Sequence, residues 1–225
     1  MERAALVTGG SSGIGLAIAR VLRDEGFELT LAAHGAEALE RAAAELEAHA
    51  VHVELEREED CRRAVTDHEA RFGRLDMLVN SAGITIGERL EETKVEHLDR
   101  TLAINLRAVV LVTQAALPLL RRSGGWVVSL ASLAAVEPSP MFPVYAATKA
   151  GVVSLTRSIN ADAAADGVRA CAIAPGIVDT PMTADYPGDR DELLRPEDCA
   201  EVVRLLLRLN PGARIPFVEL ERVRA

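Results

Sequence analysis

Residues 4–15 read Ala4-Ala5-Leu6-Val7-Thr8-Gly9-Gly10-Ser11-Ser12-Gly13-Ile14-Gly15. A short apolar run leads into a glycine-rich loop, and a stretch with helical periodicity follows. The pattern predicts a strand at about 4–8 and a helix at about 13–25. A plain strand-to-helix turn needs one or two glycines, and here there are four. Glycines at 9, 13 and 15 allow a tight turn and let the backbone approach a pyrophosphate closely. That group would rest against the N–H groups and positive dipole of the helix beginning near Gly13. A glycine-rich loop is weak evidence alone and much stronger between a first strand and a first helix.

Outward from this stretch, short β-branched runs alternate with longer 3.6-period segments. Strands are expected near 28–33, 51–54, 76–80, 126–130, 169–174 and 215–220. Helices are expected near 36–48, 58–72, 95–121, 145–165 and 196–209, the last opening Arg195-Pro196-Glu197-Asp198 with Pro and acids in its first turn. No Pro/Gly/Ser-rich linker breaks the alternation, so residues 1–225 are read as one domain. Right-handed crossovers then give an α/β fold, a doubly wound, seven-stranded, mainly parallel sheet with helices on both faces. Ligands of such sheets bind beyond the carboxyl ends of the strands.

Composition excludes several classes. The 225 residues, 49% hydrophobic, can bury one large core. A formal net charge of −9 argues against nucleic acid or an anionic membrane as partner. No uninterrupted apolar run reaches the length of a membrane span, and the first strand begins too early for a cleaved signal. Cys61, Cys171 and Cys199 are odd in number and widely spaced, which suits buried thiols in a reducing cytoplasm. His34, His49, His52, His68 and His97 show no ligand spacing with cysteines, so no metal site is expected.

The chain writes its cations as Arg almost everywhere: two lysines stand among 25 basic residues. One of them closes Tyr145-Ala146-Ala147-Thr148-Lys149. On a helix, positions four apart share a face. A compact ammonium there can favour the phenolate of Tyr145 and lower a pKa that starts near 10. Tyr145 thereby becomes a candidate acid and base. An accidental surface pair is the plain alternative.

Together these motifs resemble the short-chain dehydrogenase/reductase family. Thr8-Gly9-x-x-x-Gly13-Ile14-Gly15 and Tyr145-x-x-x-Lys149 match its two defining motifs. Leu75-Asp76-Met77-Leu78-Val79-Asn80-Ser81-Ala82-Gly83 is similar to its Asn-Asn-Ala-Gly strand end, with Ser81 replacing the second Asn. Asn105-Leu106, Ser132 thirteen residues before Tyr145, and Pro175-Gly176-Ile177-Val178-Asp179-Thr180-Pro181-Met182 follow in the family's order. The resemblance is strong to about residue 182 and thinner beyond.

It implies hydride transfer between a nicotinamide cofactor and a carbonyl or secondary alcohol. Tyr145 would exchange the proton, and Lys149 would hold the nicotinamide ribose and lower the tyrosine pKa. Ser132 would hydrogen-bond the carbonyl oxygen, and Asn105 would hold a water linking Lys149 to solvent. A backbone-bonded helix Asn and an ordinary strand-end Ser are the alternatives. Cofactor contacts are expected from Gly9, Ser11, Ser12, Gly13, Ile14 and Gly15 at the pyrophosphate. Asn80, Ala82 and Gly83 would lie against the adenosine ribose, or simply form a turn. Pro175, Gly176, Val178 and Thr180 would hold the carboxamide, although Thr180 could equally cap a turn begun by Pro181. Glu54 stands where the family usually has an Asp for the adenine amine, or is a solvated strand end.

The second strand ends Ala32-Ala33-His34-Gly35, without the carboxylate that binds both ribose hydroxyls in NAD-preferring folds. That favours NADP(H) over NAD(H), although the usual Arg partner is missing and Ser12 stands where some relatives have a basic residue. His34 could serve the 2′-phosphate, lie over adenine or face water. Residues 183–195 would form an unusually short substrate lid, and Leu133, Met141, Phe142, Val144, Met182 and Tyr186 would close the cleft or join the core. The family also implies a small-molecule substrate and a homodimer or homotetramer built on the helices near 95–121 and 145–165. The alternative reading is a non-catalytic dinucleotide-binding sensor or partner-binding module. An isomerase or dehydratase on the same site is a third.

Overall fold

The computed structural model describes residues 2–223. Its strands are β1 (Arg3–Thr8), β2 (Phe27–Ala33), β3 (His49–His52), β4 (Met77–Asn80), β5 (Trp126–Leu130), β6 (Arg169–Pro175) and β7 (Phe217–Leu220). Its helices are α1 (Gly13–Asp24), α2 (Ala36–Leu46), α3 (Glu58–Phe72), α4 (Val95–Leu102), α5 (Ala108–Ser123), α6 (Pro143–Asp162) and α7 (Pro196–Leu207). The strands pair in the order β3-β2-β1-β4-β5-β6-β7, all parallel. The expected doubly wound sheet is therefore present, and its parallel character is complete.

Strand alternation sorts the core into two layers. In β1, Ala5 and Val7 point to one face, where α1, α2 and α7 pack, while Leu6 points to the other with α3 and α5. Helix α6 closes that second face through Val152, Val153 and Ile159. Both faces are covered, which is why the strands read as near-continuous apolar runs. After β1 the chain builds β2 and β3 on one side and then crosses to β4 on the other. The reversal leaves a crevice at the carboxyl ends of β1 and β4, the position at which such sheets bind ligands.

Two elements differ from the sequence-based expectation. Strand β3 ends at His52, so Glu54 lies beyond it, in a loop where its backbone N–H is held by Asp60 Oδ2 at 2.7 Å. The long helix near 95–121 is interrupted: residues Ala103–Arg107 form a π-helical turn between α4 and α5. Such single-turn insertions often mark functional positions. By length and hydropathy, the helical stretch Val95–Ser123 is apolar enough to cross a bilayer, a property the search for uninterrupted apolar runs missed. In the fold its side chains Val109, Val112, Ala116, Leu119 and Leu120 are buried.

The second layer also encloses His68, fully buried on α3. Its Nδ1 accepts from Thr30 Oγ1 at 2.8 Å, and Nε2 donates to the Arg74 carbonyl at 2.9 Å. A neutral ring with its proton on Nε2 satisfies both bonds. Burial pushes its pKa down to about 4. Between pH 6.5 and 4 the unfolded chain binds this proton and the native state does not, so stability falls with pH across that window, by about 3 kcal/mol at most. Thermal melts at pH 7 and pH 4.5 check this: the drop should be clearly smaller in His68→Gln. An equal drop in both proteins would contradict it.

Candidate active site

The glycine loop leaves β1 with Gly9 at φ +67°, a left-handed conformation. A Cβ on Gly9 would lie 2.7 Å from Ala82 N, and one on Gly15 only 2.3 Å from the Gly9 carbonyl oxygen. Backbone thus packs on backbone at the crevice, where side chains cannot fit. Thr8, which opens the glycine motif but was given no role in the sequence reading, ties the strand ends together. Its hydroxyl donates to Val79 O at 3.4 Å and accepts from Ser81 N at 3.3 Å. Gly9, Ser11, Ser12, Gly13 and Ile14 line the cleft, and Gly15 lies buried beneath them in the first turn of α1.

The cleft encloses about 1170 Å³ along the carboxyl edge of the sheet. At the β2–β3 end it is lined by His34 and Glu54, and at the other end by Leu133, Phe142, Met182 and Tyr186. Met141 and Val144 do not line it. Arg100 and Ile104, not foreseen, also line the cleft; their i, i+4 spacing just before Asn105 was the available signal. His34 is exposed, and its carbonyl accepts from His52 Nε2 at 2.6 Å.

Ser132, Tyr145 and Lys149 face the same part of this cleft. Pro143 at the first position of α6 fixes the helix start, placing Tyr145 in its first turn and Lys149 one turn later. Ser132 follows β5 and caps the short turn Leu133–Ala135, its Oγ accepting from Ala134 N at 3.2 Å. The capping and cleft-facing readings of Ser132 therefore coexist. Lys149 is 5% exposed; its Nζ donates to Leu130 O at 2.7 Å and lies 5.5 Å from the Tyr145 ring centroid.

Burial sets the electrostatics. It pushes Tyr145 above the usual phenol value, with a hydrogen bond to Ser132 pulling the other way, and it pushes Lys149 down to about 8. The expected depression of the Tyr145 pKa by Lys149 is thus absent from the protein alone. The ammonium is bonded to a strand carbonyl, and burial sets the direction at Tyr145.

Asn105 is fully buried in the π-helical turn. Its Oδ1 accepts from Ile84 N and its Nδ2 donates to Ile84 O, both at 2.8 Å. The amide clamps the loop after β4. Gly83 passes close by: a Cβ on it would stand 3.4 Å from Asn105 Oδ1 and 3.6 Å from Lys149 Nζ. Ala82 and Gly83 line the cleft, but the side chain of Asn80 does not. Strand alternation sends it with Leu78 towards α5, where Nδ2 donates to Thr113 Oγ1 at 3.1 Å and Ser129 Oγ at 3.3 Å.

Pro175, Gly176, Val178 and Thr180 line the cleft after β6. Thr180 also begins the short turn Pro181–Thr183, so its capping role and its place in the cleft coexist. Among the described residues no cluster of His, Cys, Asp or Glu could hold a metal.

A parallel doubly wound sheet, a glycine loop at its switch point and a Ser–Tyr–Lys set in one cleft define a dinucleotide-dependent oxidoreductase. The chain belongs to the short chain dehydrogenase family, whose profile matches residues 3–191. It is 35% identical over 207 residues to an uncharacterized oxidoreductase of Staphylococcus aureus (strain USA300), covering 90% of this chain and 89% of that one. Among solved structures it is similar to an alcohol dehydrogenase from the archaeon Thermococcus sibiricus complexed with 5-hydroxy-NADP. There the TM-score is 0.91 at 32% identity, over 97% of this chain and 95% of that one. A 3-ketoacyl-(acyl-carrier-protein) reductase from Brucella melitensis complexed with NADH superimposes with a TM-score of 0.90 at 30% identity, over 97% and 96% of the two chains.

Proposed function

We propose that the protein is an NADP(H)-preferring carbonyl reductase or secondary-alcohol dehydrogenase with Tyr145 as its acid and base. The convergence of Ser132, Tyr145 and Lys149 on the cleft that begins at the glycine loop carries this reading. The residues fit a dinucleotide, because the close backbone packing that Gly9 and Gly15 permit leaves Gly9, Ser11, Ser12 and Gly13 lining the cleft at the start of α1. When bound, the cofactor supplies or accepts the hydride at nicotinamide C4.

In reduction, Ser132 donates a hydrogen bond to the substrate carbonyl oxygen and Tyr145 delivers its phenolic proton to the alkoxide that develops there. In oxidation the proton moves the other way. A phenol held above its usual pKa is protonated at neutral pH, so Tyr145 is ready as an acid, and the oxidative direction gains rate as pH rises. Lys149 would hold the ribose hydroxyls of the bound cofactor beside Tyr145. Asn105 fixes Ile84 and with it the wall formed by Ala82 and Gly83. The complete Ser–Tyr–Lys set favours turnover over a sensor or binding module. A panel of aldehydes, ketones and 3-oxo esters, followed by nicotinamide absorbance, tests the reading, and no turnover with any of them would count against it.

Cofactor preference rests on the end of β2, where Ala33, His34 and Gly35 place no carboxylate against a 2′-phosphate. His34 and Glu54 both line the cleft there, where the adenosine end of the cofactor would lie. The expected result is a higher kcat/KM with NADP(H); an advantage of about tenfold or more for NAD(H) contradicts the preference.

The same reading makes the protein a cytoplasmic homo-oligomer acting on a small molecule, with no nucleic acid or membrane partner. Cys61, Cys171 and Cys199 are buried, and burial raises their thiols to about 11, 12 and 12, as suits inert thiols in a reducing compartment. Leu102 and Val110 on the α4–α5 stretch are 38% and 41% exposed, apolar area that a second copy would cover. Light scattering should give a dimer or tetramer mass; a monomer removes this part.

A further inference from the structure

The short lid, residues 183–195, is fastened to the loop after β6. Thr183 Oγ1 donates to Val178 O at 2.6 Å. At the other end Leu194 N donates to Ile177 O at 3.1 Å, and Asp179 N donates to Leu194 O at 2.8 Å, forming a parallel bridge between Val178 and Leu194. Between these stitches the chain is crossed by Arg190. Its Nη1 donates to the carbonyls of Thr183 at 3.1 Å and Ala184 at 3.2 Å, and its Nη2 bonds the Asp179 carboxylate. All three acceptors lie in residues 179–184, the stretch that presents Thr180 and Met182 to the cleft. A second tie, Arg222 Nη1 to Glu192 Oε2 at 3.2 Å, does not touch that stretch.

Leu193 is the one hydrophobic residue of the lid buried within the core. With so little apolar burial, the conformational entropy of the segment must be offset mainly by polar ties. The guanidinium suits that task, since its planar fork reaches a carboxylate and two carbonyls at once, which an ammonium on a flexible stem does less well.

We propose that Arg190 is a positioning residue for the nicotinamide end of the cofactor. It does not line the cleft itself. It acts through Asp179 and the carbonyls of Thr183 and Ala184 to hold Val178–Thr183 in place. This rests on the dinucleotide reading above, and it assigns the lid a part in cofactor binding besides substrate access.

Calorimetric titration of the full chain tests it with two probes. One is the intact cofactor that binds tighter. The other is the same molecule without nicotinamide, ADP-ribose or its 2′-phosphate. Arg190→Ala should weaken the intact cofactor by about tenfold and leave the truncated probe within about twofold. Arg190→Lys should recover only part of the loss, since an ammonium on a flexible stem can reach the Asp179 carboxylate but does not reproduce the fork to the two carbonyls. Equal weakening of both probes, or of neither, overturns the proposal. If the unaltered protein binds neither probe, the dinucleotide reading itself fails, and that outcome is distinct from the other two.

Discussion

Tyr145→Phe is expected to lower kcat by about a thousandfold or more while leaving cofactor affinity within about twofold. The substitution removes one oxygen from a partly buried ring and leaves α6 and the helix start at Pro143 intact. Lys149 keeps its bond to Leu130 O, since that contact does not pass through the phenol. What disappears is the group proposed to exchange the proton with the substrate oxygen. Equilibrium binding of reduced cofactor by fluorescence, beside initial rates, separates these effects. The unaltered enzyme carries a further signature: reduction should be level through neutral pH while oxidation climbs with pH, because burial keeps Tyr145 protonated. Substantial turnover in Tyr145→Phe would remove Tyr145 from the chemistry.

Gly15→Ala should weaken cofactor binding by about a hundredfold or more, against the trend of helix propensity. Alanine inside a helix is favoured over glycine by about 1 kcal/mol. Here the added carbon would stand 2.3 Å from the Gly9 carbonyl oxygen and 2.9 Å from its carbon, both backbone atoms that cannot swing aside. Helix α1 or the glycine loop must therefore move by about 1 Å, a displacement large enough to spoil a site built from fixed N–H groups. Melting temperature and cofactor affinity should fall together. Gly212→Ala, in an open loop whose nearest neighbour is the Asn210 side-chain oxygen at 3.6 Å, should change neither. A Gly15→Ala protein that binds cofactor normally would show that the pyrophosphate lies elsewhere.

Nearly all elements were legible because the periods of 2 and 3.6 in this chain are sharply separated by glycine, proline and charged stretches. The glycine loop and the Tyr145–Lys149 pair were legible for a related reason: their spacing is local, and local geometry follows from it. What stayed hidden depended on longer range. A one-residue insertion leaves an apolar pattern almost unchanged, so the π-helical turn around Asn105 could not be read from periodicity. The inward turn of Asn80 was present in strand alternation, since it shares a face with Leu78, but the functional reading looked past it. The balance at Tyr145 and Lys149 required knowing how deeply each is buried and that Leu130 O takes the ammonium. The Arg190–Asp179 tie spans eleven residues of irregular chain, which no period reports. Cofactor preference rests on which side chains meet at the end of β2, where Ala33-His34-Gly35 supplies neither a carboxylate nor a guanidinium.

The proposed chemistry requires a cleft that brings nicotinamide C4 against a carbonyl carbon while Tyr145 serves the oxygen. The most direct measurement is isotopic: turnover of a ketone accepted by the enzyme, with cofactor carrying deuterium at the transferable C4 position and the product analysed by mass spectrometry and NMR. One deuterium on the carbinol carbon of each product molecule is the predicted result. Product formed with that hydrogen drawn from solvent, or tight cofactor binding with no transfer to any carbonyl tested, would contradict it.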